Sequence, residues 1–283
     1  MFETVLVPTD FSKYAQKVPE CIAQMPGVKN MVLMNVVARD PLARTWDPVA
    51  ERREAREKLE ERAKTLNLPG IDIKVREELD LEGSVPGLIQ KVAEEEGASL
   101  IAMGARGRGT IESILLGSVT RGVLKYGDKD LLIMRYRELE RSGLQEFCAR
   151  LFEKVLFPTD FSEPARSAIA KVTGIPGVRD IVLLHVVSSG ETKEEIDSRV
   201  QDASNAIKAM AEGQGIKGLN VTTNVAVGNP VREINSVAEK ENVSLIAMSS
   251  IGRNSPSKAM IGSVAYDVAH NAERPVLVIR SKR

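Results

Sequence analysis

One glycine-rich stretch, residues 104–118, carries residue types that suit phosphate binding. It follows an apolar run that ends at Met103 and precedes a helical pattern that begins at Val119. Its chemically informative residues are Gly104, Arg106, Gly107, Arg108, Gly117 and Ser118. Glycine lets the backbone adopt positive φ and lets a ligand come close, and a helix N-terminus attracts anions. The spacing therefore predicts a phosphate-binding loop between a buried strand and a helix.

A second group of residues follows the first apolar runs of the chain. Pro8, Thr9 and Asp10 lie at the end of the first run, and Val36 lies near the end of the second. Ligands of parallel sheets bind outside the carboxyl ends of the strands, so this group is expected beside the glycine-rich stretch. Asp10 can accept hydrogen bonds from an adenine amino group or a ribose hydroxyl. Asp10 or Ser12 can equally cap the next helix.

Two further residue types in the glycine-rich stretch have alternative explanations. Arg106 and Arg108 can contribute positive charge to a phosphate site, or their side chains can simply be solvated. Ser118 can bind a ligand or serve as a helix N-cap, which is a favoured position for serine.

The chain contains an internal repeat, which predicts a second site of the same kind. Residues 5–12 return as 155–162 and residues 32–37 as 182–187, while residues 99–103 return as 244–248 and 117–119 as 262–264. The expected second set is Pro158, Thr159, Asp160, Val186, Met248, Ser249, Gly252, Gly262, Ser263 and Val264. In this copy Ser249 replaces the first glycine, and Pro256 and Lys258 occupy the loop. A serine fits only if its φ stays negative, so the two sites need not be equivalent.

The elements that must position these residues follow from the alternation of apolar and helical patterns. Strands are expected near residues 3–8, 31–37, 71–77, 99–103 and 131–135, and near 154–158, 181–187, 219–226, 244–248 and 276–280. Helical stretches such as 47–66 and 191–213 lie between them. This pattern predicts an α/β fold with two doubly wound parallel sheets. The expected domains are residues 1–137 and 152–283, with a polar connector at 138–151.

Composition narrows the possible functions. Lys and Arg total 39, as do Asp and Glu, so the net charge of zero gives no sign of a nucleic-acid partner. No apolar run approaches the roughly 20 residues that span a bilayer, and the start lacks a signal-peptide pattern. Cys21 and Cys148 show neither metal-ligand spacing nor a disulfide framework. We therefore expect a cytoplasmic protein with reduced thiols and no metal bound by protein ligands.

The sequence gives little support for catalysis. It has no Gly-x-x-x-x-Gly-Lys-Ser/Thr motif of the kind used for rapid phosphoryl transfer. His185 and His270 have no visible Ser or Cys partners, and His185 falls in an expected strand, where packing or hydrogen bonding is the simpler role. Any hydrolysis of a bound phosphate compound is expected to be slow.

Residues 104–118, the opening 5–12 and the run 99–103 together resemble the universal stress protein family. The resemblance extends over both copies, so it implies a tandem member. It implies an adenine nucleotide alpha hydrolase-like fold with strand order 3-2-1-4-5, and ATP, ADP or AMP bound between strands one and four. Pro8, Asp10 and Val36 would then frame adenine and ribose. Gly104, Gly107, Gly117 and Ser118 would hold the phosphates, beside Mg²⁺ or Mn²⁺.

Two functions are compatible with these features. The first is a nucleotide-responsive stress or signalling protein with an unknown protein partner. The second is a scaffold of the same fold that binds no nucleotide, at least in the second copy. The apolar last strands of the two copies, near 131–135 and 276–280, are expected to pair within one chain, because exposed apolar edges are normally covered. A homodimer of chains is also compatible with the sequence.

Overall fold

The chain divides into two compact units, Met1–Cys148 and Ala149–Arg283. The structure is a computed structural model, and it describes residues 2–39, 45–66, 68–106, 116–135, 143–188, 190, 192–213, 216, 218–253 and 260–281. Four residues discussed above, Gly107, Arg108, Pro256 and Lys258, lie outside the described residues.

The first unit alternates strands and helices. Its elements are β1 (Thr4–Pro8), α1 (Val18–Ile22), β2 (Asn30–Ala38), α2 (Pro48–Leu66), β3 (Asp72–Asp80), α3 (Val85–Glu95), β4 (Leu100–Gly104), α4 (Ser118–Tyr126), β5 (Asp130–Met134) and α5 (Leu144–Ala149). Every strand pair is parallel, and the order is β3-β2-β1-β4-β5. The predicted order 3-2-1-4-5 is confirmed in this unit.

The second unit repeats the same topology. Its elements are β6 (Lys154–Pro158), α6 (Glu163–Thr173), β7 (Asp180–Val187), α7 (Lys193–Ala211), β8 (Asn220–Val227), α8 (Pro230–Lys240), β9 (Leu245–Ser249), α9 (Ser263–Asn271) and β10 (Val276–Ile279). The parallel order β8-β7-β6-β9-β10 is again 3-2-1-4-5. The predicted fold is therefore confirmed in both copies.

The central strands are buried because their sequences are apolar along their whole length. Val5, Leu6 and Val7 of β1 are inaccessible to solvent, as are Leu100 and Ile101 of β4. Strands of a parallel sheet have helices on both faces, so they carry apolar residues at successive positions instead of alternating ones. This rigid centre fixes the position of the loops that leave its carboxyl ends.

The edge strand β3 is tied to α3 by charged groups. Arg76 on β3 donates hydrogen bonds to Glu78 at 2.7 Å and to Glu95 at 2.8 Å, and it also binds Glu96. These hydrogen bonds raise the pKa of Arg76 above its ordinary value. The Arg76 side chain is 24% exposed, so its ion pairs are partly shielded from water and stabilise the edge more than fully exposed pairs would.

Cys21 in α1 and Cys148 in α5 form a disulfide, so the prediction of reduced thiols is wrong. The two cysteines are 127 residues apart in the chain, and a spacing of that length gives no sign of pairing. The fold places α5 against α1 and brings the two Cα atoms to 4.8 Å. Both side chains are buried, at 0% and 2% exposure. The disulfide links the start of the first unit covalently to its end.

Candidate functional site

Each unit has a crevice where the order of its strands changes direction. In the first unit β1 is followed along the chain by its neighbour on one side, β2, whereas β4 is followed by its neighbour on the other side, β5. The loops after β1 and β4 therefore diverge at the carboxyl edge of the sheet, where α/β proteins bind ligands. The predicted site residues lie on these two loops and on the end of β2.

The turn after β1 is held in shape by its own side chains. Thr9 Oγ1 accepts a hydrogen bond from Phe11 N at 3.0 Å, and Asp10 Oδ1 accepts one from Ser12 N at 3.0 Å. Ser12 Oγ in turn accepts from Ala15 N at 3.3 Å. Asp10 and Ser12 thus both hold the turn, and neither caps the next helix, since α1 has Lys17 as its N-cap residue and no side-chain cap hydrogen bond.

The second unit builds the same turn after β6. Phe161 N donates to Thr159 Oγ1 and Ser162 N to Asp160 Oδ1, each at 3.0 Å. The Ser162 hydroxyl also donates to Asp160 Oδ1 at 2.6 Å, and Ser162 is the N-cap of α6, where it accepts from Ala165 N. The repeated sequence therefore produces a repeated turn geometry.

A side chain on the second strand of each unit supports this turn from the side. Asn35 Nδ2 donates to the Thr9 carbonyl at 2.7 Å, and His185 Nδ1 lies 2.7 Å from the Thr159 carbonyl. Because a carbonyl only accepts, His185 carries a proton on Nδ1. Sequence reasoning missed Asn35, although its position in the repeat is equivalent to that of His185.

Both turns contain an aromatic residue in a strained conformation. Phe11 and Phe161 have φ of 61° and 62°, in the left-handed region that is unfavourable for residues with a Cβ. Such outliers persist where surrounding contacts enforce them, and they concentrate at functional sites. In the second unit the Phe161 ring stacks on His185, with centroids 4.6 Å apart.

The glycine-rich loop of the first unit is anchored at both ends. Ala105 N donates to the Met134 carbonyl and Gly117 N to the Ala105 carbonyl, each at 2.8 Å. Thr120 Oγ1 of α4 donates to the Gly104 carbonyl at 2.9 Å. A Cβ on Gly104 would lie 3.2 Å from the Arg106 carbonyl oxygen, so the close return of the chain favours glycine there. The loop therefore begins and ends beside the carboxyl end of β4.

Helix α4 starts without a side-chain cap. Gly117 is the N-cap residue, with φ −66° and ψ 158°, and it makes no side-chain cap hydrogen bond. Ser118 is the first helical residue instead of the cap. The second unit is the same, with Gly262 as the N-cap of α9 and Ser263 following it. The N-termini of α6, α7 and α8 are capped by Ser162, Thr192 and Asn229, whereas α1 and α3 also lack a side-chain cap.

The loop of the second unit closes on Asp160. Arg253 N donates to Asp160 Oδ2 at 2.5 Å, and Arg253 Nη2 donates to the Asp160 carbonyl at 2.8 Å. Ser249 Oγ donates to the Ile251 carbonyl at 2.8 Å, so the residue that replaces a glycine binds its own loop. Burial raises the pKa of the Asp160 carboxyl, but hydrogen bonds from Ser162 and Arg253 outweigh it and lower that pKa.

A buried arginine that sequence reasoning missed follows β5. Arg135 is 5% exposed, and burial, together with the charge of Arg106, lowers its pKa to about 10. It therefore remains positively charged at neutral pH. The equivalent residue of the second copy is Arg280, a repetition that the sequence alone could have revealed. Arg135 and Arg106 add positive charge to the edge where the glycine-rich loop is anchored.

The other predicted residues lie on the same edges. Pro8 and Met103 are buried, at the last position of β1 and one residue before the end of β4. Half-buried Val36 lies near the end of β2, and Val119 lies in the first turn of α4. Their counterparts in the second unit are Pro158, Met248, Val186 and Val264. The fold thus assembles the described part of each predicted set around one crevice.

A cavity of about 430 Å³ borders the first turn on the side of α2. Thr9 and Phe11 line it together with buried Leu33 and Leu59. Among the residues that the structure describes, no group of three or more His, Cys, Asp or Glu side chains could hold a metal ion. Within the same residues, no helix is both long and apolar enough to cross a membrane.

Comparison with known proteins identifies the family. The universal stress protein family matches residues 1–135 and 151–280. Universal stress protein MJ0577 of Methanocaldococcus jannaschii is 30% identical over 157 residues, which cover 47% of this chain and 97% of that protein. MJ0531 of the same organism is 31% identical over 147 residues, covering 47% of this chain and 85% of that protein.

A solved structure matches both units. A universal stress protein from Archaeoglobus fulgidus is 26% identical, covers 98% of this chain and 96% of its own, and has a TM-score of 0.69. With the two family matches in sequence, the chain belongs to the universal stress protein family, as a tandem member with one family domain in each unit.

Proposed function

We propose that this protein binds an adenine nucleotide, with ATP as the first candidate, in the crevice of its first unit. One observation carries the proposal: the loop after β4 leads to an uncapped helix N-terminus beside the strained turn after β1. An uncapped N-terminus offers N–H groups and a positive dipole end to phosphate. Since α4 follows directly from the loop, phosphate bound there would lie at the same sheet edge as Asp10.

The contacts divide naturally between the two ends of such a ligand. The turn of Thr9 and Asp10, together with Val36, would hold the base and ribose. The main chain of Gly117 and Ser118 would hold the phosphates, with Arg106, Arg108 and Arg135 contributing positive charge. A divalent cation would be bound by the phosphates themselves.

The proposed role is binding that alters interactions with a protein partner, in a stress or signalling response, with at most slow hydrolysis. The sequence lacks the phosphate-loop lysine that aligns the β- and γ-phosphates in fast nucleotide hydrolases. A turn and a helix N-terminus can bind and orient a nucleotide without accelerating its cleavage.

The alternative function, a scaffold that binds no nucleotide, is supported in the second unit by one observation. There the Asp160 carboxylate accepts a hydrogen bond from the loop itself, through Arg253 N. Ser249 also stands where the first unit has Gly104. The second unit is therefore proposed as the weaker nucleotide site.

Isothermal titration calorimetry with ATP, ADP and AMP, with and without Mg²⁺, tests the proposal on protein freed of bound nucleotide. Gly117→Val should weaken the stronger site at least about tenfold, because a valine side chain would crowd the phosphates. The backbone of Gly117 is extended (φ −66°, ψ 158°), so valine causes no backbone strain there. Gly262→Val is the matched control in the second unit and should leave the stronger site unchanged. Equal effects of both substitutions would contradict the assignment.

A further inference from the structure

The carboxylate and the main-chain carbonyl of Asp160 in the second unit accept hydrogen bonds from other residues of the protein. Its Oδ1 accepts from both the main chain and the hydroxyl of Ser162, and its Oδ2 accepts from Arg253 N. A carboxylate has about four acceptor positions, so three of them are filled. Its main-chain carbonyl is also occupied, by the Arg253 guanidinium. One residue of the glycine-rich loop thus binds this aspartate twice.

Gly252 allows the loop to approach the carboxylate this closely. A Cβ added at Gly252 would lie only 2.6 Å from Asp160 Oδ2, a distance that real Cβ atoms do not adopt. In the family motif this glycine is expected to make room for phosphate. In this unit its missing side chain makes room for Asp160, which is a different physical reason for the same residue.

Neighbouring residues of the described loop also hydrogen-bond to one another. Ser249 Oγ donates to the Ile251 carbonyl at 2.8 Å, and Gly262 N donates to the Ser250 carbonyl at 2.7 Å. Ser249, Ser250 and Ile251 are all buried. A loop whose polar groups are already paired gains less from a ligand, because each new contact replaces an existing hydrogen bond.

We propose that Arg253 and Asp160 form an internal latch that closes the crevice of the second unit and lowers the nucleotide affinity of that unit. This inference rests on the proposed function, since it concerns the second copy of the same site. A nucleotide hydroxyl or amino group can use the acceptor position of Asp160 Oδ2 that Arg253 N now fills only after Arg253 N and Gly252 move away. The Arg253 guanidinium helps to hold the loop in this position through its hydrogen bond to the Asp160 carbonyl.

The latch makes a prediction opposite to that of an ordinary phosphate-binding arginine. If Arg253 simply attracts phosphate, Arg253→Ala weakens nucleotide binding. If Arg253 holds the loop on Asp160, the same substitution removes the guanidinium contact and strengthens binding, by about three- to fivefold for one hydrogen bond. Gly252→Ala should act in the same direction, because its Cβ would push the loop away from Asp160.

The binding experiment uses the full chain with Gly117→Val, so that the second unit dominates the signal. Calorimetry with ATP measures affinity, and photolabelling with 8-azido-ATP followed by peptide mapping shows which unit is labelled. Arg166→Ala is the matched control, since Arg166 Nε donates at 3.3 Å to the Phe161 carbonyl of the same turn. Tighter binding with Arg253→Ala but not with Arg166→Ala supports the latch. Unchanged or weaker binding with Arg253→Ala overturns it.

A measurement without nucleotide separates failure of the latch from failure of the proposed function. Hydrogen–deuterium exchange at the Arg253 amide should be slow in the unliganded wild type and faster in Asp160→Ala, which removes the acceptor. Equal exchange in the two proteins overturns the latch, whatever the protein binds. Absence of nucleotide binding in the first unit of the wild type refutes the proposed function. If the first unit binds nucleotide but Arg253→Ala does not change the affinity of the second unit, the latch alone is refuted.

Discussion

Reduction of the Cys21–Cys148 disulfide should destabilise the first unit and leave the second unit unchanged. The bond closes a loop over a sequence separation of 127 residues, and in the chain-entropy description a loop of this size restricts the unfolded state by about 5 kcal/mol. Measured losses for native disulfides are about 2–5 kcal/mol. With a urea m-value of about 2 kcal/mol per molar, the unfolding midpoint of the first unit should fall by about 1–2.5 M.

The protein contains its own probe and its own control for this experiment. Trp46 is the only tryptophan and lies in the first unit, so its fluorescence follows the unfolding of that unit. Both cysteines of the chain lie in the first unit, so dithiothreitol should not change the stability of the second. Pulsed hydrogen exchange on peptides from residues 149–283 measures that stability.

Two results would refute the reasoning about the disulfide. The first is an identical Trp46 midpoint with and without dithiothreitol. The second is the detection of two free thiols after the protein has been exposed to a mild oxidant and denatured. A Cys21→Ala, Cys148→Ala double variant should match the reduced wild type to within about 1 kcal/mol, allowing for the two sulfur atoms that it removes.

Three further predictions follow from the charged groups. Arg76→Met should lower the free energy of unfolding of the first unit by about 1–2 kcal/mol in urea titrations, while Arg53→Ala, in an exposed pair with a 4.0 Å separation, should leave it unchanged. Because the pKa of Asp160 is lowered on folding, the ionised carboxylate stabilises the second unit above the unfolded pKa of about 4, and this stabilisation is lost as the pH falls below it. In an acid titration, the second unit of Asp160→Asn should therefore lose less stability than that of the wild type. Arg135→Met should weaken ATP binding by roughly three- to tenfold and AMP binding less, as measured by calorimetry; equal losses for both nucleotides would exclude a role for Arg135 at the outer phosphates.

The strands and the doubly wound parallel class were predictable from local patterns that repeat along the chain, whereas the order 3-2-1-4-5 was implied by the resemblance to the family. The strand expected near residues 154–158 is β6 (Lys154–Pro158), since a short apolar run that ends at a proline fixes both the strand and its end. The strand expected at 71–77 is longer, Asp72–Asp80. Its last residues are charged or polar apart from Leu79, and they become a strand because they pair with β2 as far as Ala38. Such pairing depends on a distant segment of the chain.

The positions of some candidate site residues in the fold were also predictable. The resemblance to the family and the repeat placed Asp10, Gly104 and Gly117 at one sheet edge, and the described residues do lie there. The exact helix start was not evident, because Ser118 is as good an N-cap residue as Gly117 on local grounds. The hydrogen bond from Asn35 to the turn after β1 and the hydrogen bonds between Arg253 and Asp160 could not be predicted from the sequence. Both depend on contacts between segments far apart in the chain.

Calorimetric titration of nucleotide-free protein with ATP and Mg²⁺ tests the central claim most directly. We predict saturable binding at the first unit, lost in Gly117→Val and retained in Gly262→Val. Both variants should keep the circular dichroism spectrum of the wild type, because both glycines have extended backbone conformations. Absence of saturable binding of ATP, ADP and AMP to the correctly folded wild type, with or without Mg²⁺, would contradict the claim.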